Sequence, residues 1–278
     1  MAGALIASAV TPHTPRMGLE EQAPAFVRGL IEGLRELGAA LRALKPDLIV
    51  LQSAHWVATF NWYVTAHERH EGTCVADEAP DLIPGLPYRY PGDPEFARAL
   101  ADSIRALEFP CGLNESPHYR WDYGTLVPLI YLDPEATVPV VTLPVVLCAG
   151  LDECMAVGRA VHETAVRSGR RVVFIGSCAL SHKVIRGPEL WPSEEFQALD
   201  RRFMGLIEAG RIGELAEWAP EFCADAVAEM GGRVLCGMIG AAAAMAEASG
   251  PLQGRRYGAY AQSSGSGNAS LCFTPAGS

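Results

Sequence analysis

The sequence predicts an α/β fold: a single domain with a central mixed sheet flanked by helices. Three observations carry this. Short apolar runs alternate with segments of helical spacing over the first two-thirds of the chain, the arrangement of a sheet covered by helices. The 278 residues are 49% apolar and 19% charged, enough for a sizeable core and too few charges for long disorder. No internal repeat or clear linker divides the chain, so one domain spanning 1–278 is expected.

Each element follows from its residues. "GALIASAV" (3–10) reads as a buried strand that ends at Pro12-His13-Thr14-Pro15. Residues 19–44 have helical spacing, with Phe26, Leu30, Leu34, Leu37, Leu41 and Leu44 on one face and Pro46 closing the segment. "DLIVLQS" (47–53) is the second strand and "FNWYVTA" (60–66) a third. Residues 71–93, rich in proline and glycine, read as loop. A helix over 93–107 opens at Asp93-Pro94, a strand covers 137–146, and a helix over 151–169 stops at a glycine. A strand at 170–177 follows, then one or two helices within 193–217 and a small-residue helix at 234–248. "RYGAYAQ" and "ASLCFTP" are terminal strands.

Composition excludes several functions. The net charge of -10, from 22 basic and 32 acidic residues, disfavours nucleic acid and anionic membrane as partners. The eight cysteines show no CxxC and no regular spacing, which points to reduced thiols in a cytoplasmic protein. The apolar N-terminal run has no basic flank and is broken by Pro12 and Pro15, so neither a signal peptide nor a membrane span is expected. No phosphate loop, GxSxG or HExxH is present, and "SSGSGN" (263–268) reads as a turn between strands. In "HERH" (67–70) the histidines are three apart, on opposite faces of any strand, so a solvated loop is expected rather than a metal site.

Three other histidines share a placement. His13 sits past the first strand, His55 past the second, and His182 past the strand at 170–177. Ligands of an α/β sheet gather at the C-terminal ends of strands. Two histidines and one carboxylate on one face of an octahedral ion form the facial triad of non-haem Fe(II) oxygenases. Glu229, in "AVAEMGGRV", is a candidate carboxylate, and Glu115, Glu221, Asp225 and Glu247 compete with it on composition.

Several stretches then carry a family likeness: "TPHTPRM", "SAHWV", "HEGTCVADEAPDLIPGLPYRYPGDPE", "WDYGTLVPLIYL", "GSCALSHKV" and "YGAYAQSSGSGNASLCF". In this order the chain resembles the class III extradiol ring-cleavage dioxygenases, most nearly the branch with homoprotocatechuate 2,3-dioxygenase and 2-aminophenol 1,6-dioxygenase. The resemblance implies His13, His55 and Glu229 as metal ligands, Fe(II) as cofactor with Mn(II) possible, and His182 as the acid–base histidine. Tyr123 stands where several relatives carry histidine. His118 matches no functional position. Trp56 is expected to shield the metal from water. The implied partners are a small aromatic substrate and O2, with a homo-oligomer or a heteromer containing a related subunit. Arg16, Arg89 and Arg120 are candidates to receive a substrate carboxylate. Two other readings stay open, an inactive scaffold subunit and a zinc hydrolase on the same histidines.

Overall fold

The computed structural model describes residues 3–277. Six strands form the central sheet: β1 (Ala4–Thr11), β2 (Leu48–Ala58), β7 (Val140–Val146), β8 (Arg171–Ser177), β9 (Leu252–Ser263) and β10 (Ser266–Pro275), in the order β7-β2-β8-β1-β10-β9. The first four run parallel, and β10 and β9 add as an antiparallel hairpin, so the sheet is mixed as predicted. Strands buried on both faces supply alternate residues to two cores. Leu48, Val50, Val172 and Phe174 face one core, and Ile49, Leu51, Val173 and Ile175 face the other.

Helices cover both faces. On one lie α1 (Ala25–Ala43) and α3 (Tyr123–Leu132). On the other lie α2 (Pro94–Ala106), α4 (Leu151–Ser168), α5 (Glu194–Glu208), α6 (Ile212–Asp225) and α7 (Arg233–Ser249). Local chemistry sets their ends. Asp93 caps α2 by accepting the Phe96 N–H, Ser193 caps α5 in the same way, and Gly169 ends α4 in a left-handed conformation.

The structure corrects the sequence reading in three places. Residues 71–93 are not all loop: β4 (Arg69–Cys74) and β5 (Leu86–Pro91) pair antiparallel. Tyr88 and Tyr90 point inward while Arg89 points out, a two-residue alternation masked by Pro87 and Pro91. Consequently His70 is a buried strand residue and not part of a solvated loop. Its Nε2–H donates to the Val140 carbonyl at 3.0 Å. The third strand stands where it was expected, as a short β3 (Trp62–Thr65), but it pairs with β6 (Cys111–Asn114), a strand the sequence did not signal. Finally, β2 continues to Ala58, so His55 lies within the strand's C-terminal end and not past it. Its pairing with β7 is irregular between Gln52 and Val57, and this frees the backbone around His55 from strict register.

Candidate metal centre

The parallel register builds the site. Ser53 and Thr11 each stand opposite Ser177, so β2, β8 and β1 present one row across the sheet. His55 lies two residues beyond that row on β2, and His13 two residues beyond it, just past the end of β1. Their Nε2 atoms are 3.1 Å apart. Glu229 comes from the opposite direction, on the turn Glu229–Gly232 before α7. Met230, Gly231 and Gly232 all have left-handed backbone, which reverses the chain and turns the carboxylate inward. A Cβ on Gly232 would meet Cys223 Sγ at 2.0 Å, so this position has no room for a side chain.

Glu229 is buried, 4% exposed, which rules out a solvent-facing glutamate at a helix start. One oxygen, Oε2, accepts the Ala179 N–H at 2.6 Å. The other, Oε1, is 3.4 Å from His13 Nε2, 3.6 Å from His55 Nε2 and 3.6 Å from His182 Nε2. His182 is half-buried and joins Ser266 of β10 in an isolated bridge. The four side chains singled out from three strand ends and a turn therefore meet in one place.

The outer partners fix how each imidazole is presented. Ser177 Oγ donates to the Gly124 carbonyl at 2.5 Å, so it is free to accept from His13 Nδ1 at 3.0 Å. His55 Nδ1 lies 3.2 Å from Glu78 Oε1, where its N–H finds a carboxylate acceptor. With both Nδ1 atoms donating outward, both Nε2 atoms turn a lone pair toward Glu229. Three lone-pair atoms at this separation repel unless a cation lies among them. A proton on His13 satisfies one pair, and a divalent metal satisfies all three. First-row ions with bonds of about 2.0–2.2 Å set neighbouring donors about 3 Å apart, close to the separations seen here. The donor set fits such an ion.

The electrostatics agree. Burial pushes the Glu229 pKa up, but His13, His182 and His55 outweigh it and hold the carboxyl well below the usual carboxylate range. Burial works to lower the His13 pKa, and Glu229 raises it overall. Burial, then the charge of His13, lowers that of His55. The Tyr123 ring stands 4.1 Å from His55, and burial followed by Glu78 drives its phenol far above the usual value, so the hydroxyl stays protonated.

The other predicted residues scatter. Trp56 packs on Tyr119 with ring centroids 4.8 Å apart and does not line the cavity; Tyr123 faces His55 instead. His118 is exposed. Glu115 pairs with Arg98 and Glu247 with Arg159, Glu221 accepts from the Trp218 indole, and Asp225 is exposed. Sequence reasoning missed Glu78, Ser177 and Asp122. Asp122 caps α3 through the Thr125 N–H and accepts from Ser53 Oγ at 2.6 Å, tying the helix that carries Tyr123 to the strand that carries His55. Gly124 permits this approach, since a Cβ there would lie 2.5 Å from Ser53 Oγ.

The family described as the catalytic LigB subunit of aromatic ring-opening dioxygenase matches residues 7–267. The chain belongs to this family. It is 27% identical over 251 residues to the 2-aminophenol 1,6-dioxygenase beta subunit of a Pseudomonas species, covering 82% of each chain. It is 24% identical over 231 residues to 3,4-dihydroxyphenylacetate 2,3-dioxygenase of Escherichia coli, covering 79% of this chain and 83% of that one. The 2-aminophenol 1,6-dioxygenase alpha subunit of a Pseudomonas species is 27% identical over 219 residues. The crystal structure of an uncharacterized protein, JW3007, from Escherichia coli K12 shares the fold, with a TM-score of 0.67 at 19% identity over 96% of this chain and 99% of that one. No described helix is long and apolar enough to cross a membrane.

Proposed function

We propose that the chain acts as a single catalytic domain that opens a catechol-type or o-aminophenol-type ring with O2, holding Fe(II), or Mn(II) in its place, on His13, His55 and Glu229. One observation carries the reading: two imidazole lone pairs and a buried carboxylate oxygen converge, with the His182 Nε2 standing 3.6 Å from that oxygen. When bound, the metal supplies open coordination positions that gather the ring's two adjacent donors and O2.

The remaining chemistry belongs to the chain. His182 takes the proton of a ring hydroxyl at Nε2 and returns it to the departing oxygen as the ring opens. Imidazole suits both tasks because its ordinary pKa, about 6.5, lies near working pH. Tyr123, kept protonated, donates a hydrogen bond to a substrate oxygen. The buried Ala179 N–H holds Glu229 in one orientation throughout. An inactive scaffold reading has less support, because a subunit without activity has no need to keep all four side chains together. Relatives named as alpha and beta subunits support a dimer or a heteromer with a related chain.

The test separates binding from chemistry. Glu229→Ala and His13→Ala should fail to retain iron by elemental analysis. His182→Ala should retain it and lose about 10²–10⁴-fold in turnover. Full iron and full rate in Glu229→Ala would overturn the ligand set.

A further inference from the structure

The cavity above the three convergent side chains has a volume of about 310 Å³. A dry cavity of about 150 Å³ accepts a benzene ring, so this one has room for a single substituted ring. Its charge is one-sided. Among the described lining residues none is lysine or arginine, and two, Glu78 and Glu229, are carboxylates. The three arginines that could have received a substrate carboxylate are elsewhere. Arg89 pairs with Glu71, Arg120 donates to the Pro117 and Tyr119 carbonyls, and Arg16 lies on the turn Pro15–Met17 outside the lining. Lys183, next to His182, turns its amine over the Phe196 ring at 6.0 Å.

Glu78 is the unusual member of the wall. It sits between β4 and β5, with its side chain 55% exposed and so open to a ligand. His55 is its only ion-pair partner among the described residues, through one oxygen. The Tyr123 hydroxyl also neighbours this carboxylate, but a carboxylate has about four lone-pair sites, so accepting capacity remains beyond these two partners. Another part of the lining, from the end of β9, the turn and the start of β10, is neutral: Ser263, Ser264, Ser266 and Asn268. Ser263 Oγ bonds Thr14 Oγ1, Ser266 Oγ donates to the Ser263 carbonyl, and Asn268 Nδ2 donates to Ser266, so this wall is occupied with its own contacts. A divalent metal is balanced by Glu229 and Glu78. A carboxylate on the ring would enter with no cation to meet it and with Glu78 facing it, a like-charge contact that rejects the wrong partner.

We propose that the cavity selects single-ring catechols or o-aminophenols whose ring substituent is neutral or an ammonium group, and that Glu78 is the specificity-determining side chain that rejects carboxylated rings. This rests on the ring-cleavage reading above and deepens it. It separates the chain from the relative named for 3,4-dihydroxyphenylacetate.

The experiment compares three rings with the same catechol head: 4-ethylcatechol, 4-(2-aminoethyl)catechol and 3,4-dihydroxyphenylacetate. Each is titrated calorimetrically and without oxygen into the Fe(II)-loaded protein. The acid should bind at least about tenfold more weakly than the neutral ring, and the amine at least as tightly as the neutral ring. In Glu78→Gln, whose amide oxygen can still accept from His55, the spread should narrow to about threefold. Val184→Lys, which places a cation on the exposed rim of the same cavity, should strengthen binding of the acid in an otherwise unchanged protein. Equal or tighter binding of the acid by the unsubstituted protein overturns the proposal and leaves ring cleavage standing. So does an undiminished spread in Glu78→Gln that still holds iron. If none of the three rings binds the iron-loaded protein, the ring-cleavage reading fails and this inference fails with it.

Discussion

Ser177 decides which nitrogen His13 offers to the site. Its hydroxyl hydrogen is spent on the Gly124 carbonyl, so it accepts from Nδ1 and leaves Nε2 free. Outer partners of this kind typically account for about 10–100-fold in metal affinity, and Ser177→Ala should weaken iron binding by that amount in a competitive chelator titration. His13, His55 and His182 were legible because each stands near the end of an apolar run. Glu229 was not legible from its surroundings, because its burial depends on a left-handed turn that no local apolar pattern announces. Away from the site, burial and then the charge of His67 lower the His70 pKa to about 4 from 6.5. The unfolded chain takes up its proton near 6.5 and the folded chain only near 4. The stability His70 contributes by staying neutral is thus full above pH 6.5 and lost as pH falls toward 4. That difference amounts to about 3 kcal/mol. His70→Gln, which can still donate to the Val140 carbonyl, should flatten the fall of unfolding free energy across this window in denaturant titrations. An equally steep fall in the variant would exclude His70 as its source.

At the scale of elements, the proton transfer proposed for His182 requires the segment 178–182 to be held still. Asp200 of α5 does this. Its carboxylate accepts the Ser181 N–H at 3.0 Å, the Ser181 hydroxyl at 2.7 Å and the Tyr260 hydroxyl at 2.7 Å. It is fully buried, and no cation pairs with it among the described residues. Gly267 on β10 adds two backbone bonds to the same segment, from the Leu180 N–H and to the Ser181 carbonyl. Hydrogen bonds to a charged group contribute about 1.5–3 kcal/mol, so Asp200→Ala should lower the melting temperature measurably. It should also lower kcat with little change in KM while iron content is kept, which a purely structural role would not do. Two elements near the site escaped the sequence for physical reasons. The β4–β5 hairpin is interrupted by proline on its outward positions, and this hid the segment that carries Glu78. The helix α3 is apolar on nearly all sides and contains Pro128, so it shows no amphipathic period.

At the scale of the whole molecule, the C-terminal ends of the parallel strands gather the site. Four parallel strands were readable as apolar runs, and the register that aligns Ser53, Ser177 and Thr11 explains why histidines distant in sequence converge. The antiparallel pair β9–β10 completes the cavity with neutral side chains from its turn. A net charge of -10 disfavours polyanionic partners, and the selectivity proposed for the cavity would extend that preference to small ligands. The central claim is that the site opens an aromatic ring with O2. The most direct measurement is oxygen consumption by the protein loaded anaerobically with Fe(II), followed alongside the near-UV and visible spectrum, with catechol, 2-aminophenol and 4-ethylcatechol. The account predicts one O2 consumed for each ring-opened product formed, and loss of both when iron is removed. Bound iron with no oxygen uptake and no spectral change for any of the three rings would contradict it.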